Sequence, residues 1–248
     1  MRICLVSSSF YPATFYGGPI SATWDLSKKL AEKGIEVYVS TTNANGSKKL
    51  DVECNKYLKK EENVFVKYYN EQITNKFSLS FLFGIWSDIK KSDIVYIQYL
   101  FHYTVLFSLL FSVFQKKKVV LCPRGSLSLW GLSYKYKWIK MIWLSVFISP
   151  FVKNVIWQAC SYLEFTDIKN IFNKSKIVEI NDGIDFASFQ DSDKISKLEL
   201  INRFSNQDFQ IVSDVFFSMG RLHMIKGFDV LIDAFNLFLE KDKHAKLI

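Results

Sequence analysis

A chain of 248 residues, 49% of them hydrophobic and 17% aromatic, can bury one large core or two small ones, and such a composition excludes global disorder. Four prolines and ten glycines exclude a fibrous or loop-dominated protein. The formal charge of +8 points to an anionic partner: nucleic acid, a phosphorylated ligand or an acidic membrane.

Residues 2–7 form an apolar run too short for a signal peptide and read as a first strand. The loop "SSFYPATFYGG" follows. Ile20, Thr23, Trp24, Ser27, Leu30 and Ala31 then recur at helical spacing, and Gly34 closes that helix. The β-branched run 35–41 is strand-like. Strand, glycine loop, helix and strand make a βαβ unit, which requires a parallel pair. Further strands are predicted at 63–69, 93–99, 118–123, 154–159 and 176–180. Helices are predicted at 79–91, 105–114 and 134–147, and from Ser161, with Glu164 three residues on in a capping-box pattern. This alternation predicts a doubly wound, Rossmann-like α/β fold with a parallel sheet.

Composition shifts after residue 185. Residues 1–185 are expected to form one domain, 186–208 a polar connector with one modest helix, and 209–248 the start of a second Rossmann-like domain. That second unit reads as a strand, a glycine turn, a helix and the first residues of another strand, "AKLI". It is expected to be incomplete within this chain, and the chain alone to be poorly active.

The apolar stretch 100–114 falls short of the ~18–20 residues that span a bilayer, and Lys140 interrupts the stretch 138–152. Both fit buried or surface-lying helices. The segment 134–147 interleaves Lys135, Lys137 and Lys140 with Tyr134, Tyr136, Trp138 and Trp143. It suits either an anionic lipid surface or ordinary packing on the sheet. The lysines elsewhere are scattered and no nucleic-acid motif is present, which places nucleic acid last among the partners.

Cys4, Cys54, Cys122 and Cys160 show no CxxC pairing and read as free thiols in a reducing cytosol. No His/Cys cluster has metal-ligand spacing, so no metal is expected. Gly17 and Gly18 precede a helix start, where close backbone approach and free N–H groups suit a phosphate or a sugar hydroxyl; a plain flexible loop is the alternative. Arg124 and Gly125 follow the end of a central strand, on the edge that carries ligands in open α/β sheets. Arginine suits phosphate there, against the alternative of a solvated surface side chain. His102 lies on the same edge, either as a donor to substrate or as a structural hydrogen-bonder. Gly220, Arg221 and Lys226 surround the start of the last helix, where two cations and a helix N-terminus can stabilise a leaving diphosphate.

The stretch "GRLHMIKGFDVLIDAF" resembles the donor-phosphate motif of the family 4 glycosyltransferases, retaining enzymes of the GT-B fold. "MRICLVSSSFYPATFYGGPISATWDLSKKLAEKGIEVYV", "DIVYIQYLFHY", "PRGSL" and "IVEINDGID" resemble, more loosely, the N-terminal domain of that family. The resemblance implies that Arg221 and Lys226 hold the donor diphosphate, that Gly17 and Gly18 line the cleft, and that Arg124 and Gly125 face donor or acceptor. Gln98 stands where the family's strand-end histidine is usual, with His102 four residues later, so the catalytic residue stays unassigned. Asp182 replaces the usual asparagine. The implied reaction is metal-independent, retaining transfer from a nucleoside diphosphate sugar, a co-substrate rather than a cofactor, to a saccharide or lipid-linked acceptor. Surface polysaccharide assembly at the cytoplasmic side of the inner membrane is the implied setting. The rival is a catalytically inactive α/β module that binds a membrane or a partner.

Overall fold

The computed structural model describes residues 1–73, 77–183, 195–204, 214–220 and 222–248. The chain divides into two compact units, Met1–Ile184 and Asp185–Ile248. In the first, β1 (Arg2–Val6) leads to α1 (Gly18–Glu32) and β2 (Glu36–Thr42). A small hairpin, β3 (Ala44–Asn45) and β4 (Lys48–Lys49), precedes β5 (Tyr57–Glu61) and β6 (Val64–Tyr69). Then follow α2 (Leu79–Lys90), β7 (Ile94–Gln98), α3 (Tyr103–Phe114), β8 (Lys118–Cys122), α4 (Leu129–Ser133) and α5 (Lys137–Trp143). The unit ends with β9 (Val155–Ala159), α6 (Tyr162–Ile171) and β10 (Lys176–Glu179).

Eight strands form one sheet in the order β10-β9-β8-β7-β1-β2-β6-β5. Every pairing is parallel except β5 with β6, which is antiparallel and bulged between Lys59 and Glu61. The doubly wound parallel architecture expected from the alternation is present. The strand β5 and the β3–β4 hairpin are additions that the hydrophobic pattern does not show. The sequence of β5, "YLKKE", is polar because it forms an edge, where lysines discourage further pairing.

Strand residues alternate between two cores, one on each face. Cys4, Val6, Val95, Ile97, Val119, Leu121, Val155 and Trp157 face the side covered by α2, α3 and α6. Ile3, Leu5, Val37, Val39, Val64 and Val66 face the other side, with Ala31, Trp24 and Leu30 of α1. One polar cluster sits among them. The Asp88 carboxylate of α2 is buried and accepts hydrogen bonds from Ser40 Oγ at 2.8 Å, from Lys67 Nζ at 3.0 Å and from the Tyr69 hydroxyl. It ties α2 to β2 and β6.

The helix predicted over 134–147 does not form as one piece. Ser128 caps the short α4 through Gly131 N at 3.0 Å. The chain then turns sharply, with Lys135 and Tyr136 at φ 50° and 54°. Lys140 Nζ reaches back to Gly131 O at 2.7 Å and Tyr134 O at 2.6 Å, holding that corner. After α5 the backbone widens into a π turn, Leu144–Ile148, and tightens into a 3₁₀ turn, Ser149–Asn154. This path buries Leu144, Ile148 and Val152 together.

In the second unit, α7 (Lys197–Phe204) is followed by β11 (Val215–Phe216), α8 (Phe228–Leu239) and β12 (Lys246–Leu247). The two short strands pair in parallel, so "AKLI" does begin a strand. Phe216 packs edge-on against Phe235 and Phe238 of α8. The beginning of the predicted strand, 209–213, and much of the connector lie outside the described residues.

Removing the Asp88 carboxylate strands a lysine whose side chain is only 15% exposed. Asp88→Ala should therefore cost about 3–5 kcal/mol, the scale for breaking a buried ion pair. Urea denaturation checks this, and a loss no larger than that of a surface substitution would deny the cluster its structural role.

Candidate functional site

β1 lies between β7 and β2, so the chain winds away in both directions from the gap between β1 and β7. In open α/β sheets ligands bind at the carboxyl edge beside such a switch point. Parallel strands deliver the loops after β1, β7, β8 and β9 to that one edge.

A groove of about 510 Å³ opens there, lined by Gly18, Pro19, Arg124, Gly125, Cys160, Glu164 and Asp182 among others. Its framework is the Glu164 carboxylate. One oxygen accepts Gly125 N–H at 2.6 Å and the other accepts Cys160 N–H at 2.7 Å, joining the turns after β8 and β9. Ser161 Oγ caps α6 through Glu164 N at 3.2 Å, as the capping pattern predicts. The glutamate does not return to the cap residue's own N–H in the ordinary way; it is spent on the neighbouring loop instead.

Arg124 occupies the turn so formed, at φ 54°, a left-handed conformation uncommon for a side-chain-bearing residue. It is no solvated surface arginine: its side chain is 5% exposed. Nη1 donates to Asp182 Oδ1 at 2.6 Å and to Cys160 Sγ at 3.4 Å. Nε and Nη2 are buried without a partner. Two buried charged donors with no acceptor are costly unless a ligand or water supplies one.

The structure treats the other sequence candidates differently. Gly18 lines the groove, whereas Gly17 is the turn residue before α1, at φ 74°, and its N–H is taken by Thr14 O at 3.0 Å. Gln98, at the end of β7, is buried under α1, where Oε1 accepts Thr23 Oγ1–H at 2.6 Å. His102 caps α3, its Nδ1 lying 3.4 Å from Thr104 N and 2.9 Å from Thr104 Oγ1. The same ring lines a small cavity of about 120 Å³ with Ser8, Ser9, Tyr16 and Glu71. It also borders an apolar groove of about 400 Å³ with Phe101, Tyr103, Tyr136, Ile139 and Trp143. Burial lowers its pKa from 6.5 to about 4, so it is neutral at physiological pH.

In the second unit, the stem of Lys226 and the ring of Phe228 lie against Gly220, 3.4–3.5 Å from where a side chain would begin. Lys226 belongs to a 3₁₀ turn, Met224–Lys226, one residue ahead of Gly227, which caps α8 at φ 61°. The structure thus joins Gly220 and Lys226 at one helix N-terminus; Arg221 lies outside the described residues.

Sequence reading missed Glu164 as a site residue, and Cys160 with it. Only the capping pattern marked Glu164, and nothing marked the backbone N–H groups that donate to it. Cys122, Cys160 and Glu164 bring their ligand atoms within 4.8 Å of one another, a cluster that spacing along the chain does not reveal. The connector also carries one Asp-x-Asp, Asp191–Asp193, which the metal-free expectation passes over; it lies outside the described residues.

No family model matches the chain, and no curated protein sequence matches it. Solved structures match its fold. HepE from Anabaena in complex with UDP-glucose superposes with a TM-score of 0.66 at 16% identity, over 100% of this chain and 59% of that one. Sucrose-phosphate synthase from Thermosynechococcus elongatus gives 0.63 at 12% identity, over 99% of this chain and 61% of that one. A structure described as trehalose-6-phosphate from E. coli bound with UDP-2-fluoro glucose gives 0.57 at 13% identity, over 100% of this chain and 64% of that one. At such identities the likeness is one of fold. The chain has the Rossmann-like fold of GT-B glycosyltransferases, and it spans about three fifths of the length of these three proteins.

The lowered pKa of His102 has a definite sign. The folded state resists protonation, so its contribution to stability is complete above pH 6.5 and is lost as pH falls towards about 4. An NMR titration of the imidazole should place its midpoint near pH 4, with folding stability declining over the same interval. A midpoint at 6.5 would show that the ring is not held in its buried, capping position.

Proposed function

We propose that the chain is the greater part of a glycosyltransferase that moves a sugar from a nucleoside diphosphate donor to a saccharide or lipid-linked hydroxyl. The observation that carries this reading is Arg124, buried at the carboxyl edge beside the switch point with two donors unmet, on a fold shared with proteins solved with UDP-glucose and UDP-2-fluoro glucose. A sugar hydroxyl or phosphate oxygen entering the groove would give those donors an acceptor. Gly18 permits close approach, since nothing lies within 4 Å of the space a side chain would fill. Gly220 and Lys226, with Arg221 assigned by the sequence resemblance alone, would hold the diphosphate in the second unit. Charge on the departing diphosphate is met by these cations and the α8 N-terminus rather than by a metal. Retention of configuration follows the family resemblance.

The acceptor side of the proposal rests on the α4–α5 region. Tyr136, Trp138, Ile139, Met141 and Ile142 are exposed there, beside the apolar groove that His102 shares. Among the described residues no helix is long and apolar enough to cross a membrane. Peripheral attachment through this surface would place a lipid-linked acceptor next to the groove, with Lys135 and Lys137 near anionic headgroups. Lys140 is committed to the α4 carbonyls and leaves the lipid-facing set.

Two measurements test the proposal. Isothermal titration of a panel of nucleoside diphosphate sugars should find a preferred donor, and Arg124→Ala and Lys226→Ala should each lower transfer by ~10²-fold or more. Arg124→Lys should rescue poorly, because an ammonium does not reproduce the guanidinium fork. Near-normal transfer in both alanine variants would sink the assignment. Separately, the chain should co-sediment with phosphatidylglycerol vesicles in a salt-sensitive manner. Lys135→Gln with Lys137→Gln should weaken that binding; unchanged sedimentation returns the region to an ordinary packing role.

A further inference from the structure

The sugar-transfer reading leaves two sulfur atoms beneath the groove unused. Cys122 ends β8 and Cys160 follows β9, so the chain carries them to the same edge from positions 38 residues apart. Their Sγ atoms are 3.4 Å apart, and both are free thiols. A disulfide needs about 2.05 Å between sulfurs, so closure brings the two together by about 1.4 Å. The remaining cysteines are engaged elsewhere: Cys4 with Ser40 Oγ at 3.9 Å and Cys54 with Val52 O at 3.5 Å.

We propose that Cys122 and Cys160 form an oxidisable thiol pair, closed to an intrachain disulfide by peroxide or another two-electron thiol oxidant that enters the groove. Cys160 lines the groove and is the sulfur an oxidant meets, whereas Cys122 is fully buried behind it. The Arg124 guanidinium lies 3.4 Å from Cys160 Sγ and offsets part of the rise in that thiol's pKa. The contact between the two sulfurs lowers the pKa of Cys122 from its ordinary value and, with burial, raises that of Cys160. The buried partner is thereby the readier nucleophile for the second step.

The chemistry balances. The Cys160 sulfur attacks one oxygen of hydrogen peroxide, the O–O bond breaks, and hydroxide leaves with the thiol proton as water. The Cys122 sulfur then attacks the sulfenic sulfur of Cys160, the S–O bond breaks, and a second water leaves with the Cys122 proton. Two thiols are oxidised to one disulfide, and one peroxide is reduced to two waters. Closure fastens the end of β8 to the turn after β9, so the oxidation state is written into the groove wall.

A metal is the competing use of the cluster, since Glu164 completes a set of three ligands. Both Glu164 oxygens already accept backbone N–H groups, and the Arg124 cation stands beside Cys160. Each opposes a divalent ion.

The test uses the full chain, reduced and then desalted without reductant. After brief peroxide treatment, alkylation and peptide mapping should find one disulfide joining the Cys122 and Cys160 peptides, with the intact mass lower by two hydrogens and restored by dithiothreitol. Cys122→Ser and Cys160→Ser should each abolish the link, and the Cys4→Ser, Cys54→Ser double variant should keep it. Should a serine variant fold poorly, native-state alkylation of the unsubstituted chain decides instead: oxidation should protect Cys122 and Cys160 alone. Four thiols still alkylated after peroxide, or links to other cysteines or between chains, would overturn the proposal. So would zinc binding that shields both cysteines from alkylation until a chelator removes it.

Discussion

All but one pairing in the main sheet is parallel, and that constraint governs the rest of the first unit. A parallel strand cannot return through a tight turn, so each connection crosses a face of the sheet, mostly by way of a helix. Both faces become buried, which is why the strands need near-continuous apolar sequence and why two separate cores exist. The same constraint sends every strand-to-helix loop to one edge. Gly18, Arg124 and Cys160 line one groove there because their strands point the same way, although the chain between them is long.

What converts neighbouring loops into a site is the carboxylate of Glu164. Two backbone N–H groups from different turns converge on it, which fixes Arg124 in a left-handed turn and holds Cys160 near Cys122. A buried carboxylate so engaged is well compensated, because hydrogen bonds to the charged form offset its desolvation. Arg124 is the opposite case. It is buried with one ion pair and two unmet donors, a local deficit that the remainder of the fold sustains. Deficits of that sort concentrate where a protein meets a ligand.

The α4–α5 region shows how a surface can be organised without regular structure. One lysine, Lys140, satisfies two carbonyls at a helix end and a corner. Its position leaves the aromatic residues of the region pointing outward. A continuous helix would have distributed those residues around its axis. The broken path gathers Leu144 and Ile148 inward and leaves Trp138 and Ile142 exposed.

Local information sufficed for most of the main-sheet strands and for α1: the apolar, β-branched runs, the helical spacing of Ile20–Ala31 and the Ser161–Glu164 cap are all written over short stretches. The parallel sheet followed, because alternating strands and helices leave few other arrangements. The edge on which Arg124 and Gly125 would lie was also legible, since each follows directly on a strand. The polar edge strand β5 escaped notice because its apolar content is too low to mark a buried strand. The partners of Glu164, the ion pair of Arg124 with Asp182 and the approach of Cys122 to Cys160 were decided by tertiary structure alone. Apart from the local Cys160–Glu164 contact, each joins residues 38–58 positions apart, or draws on backbone groups that carry no sequence signature. Such contacts exist only once strand order is set, and strand order depends on packing summed over the whole sheet.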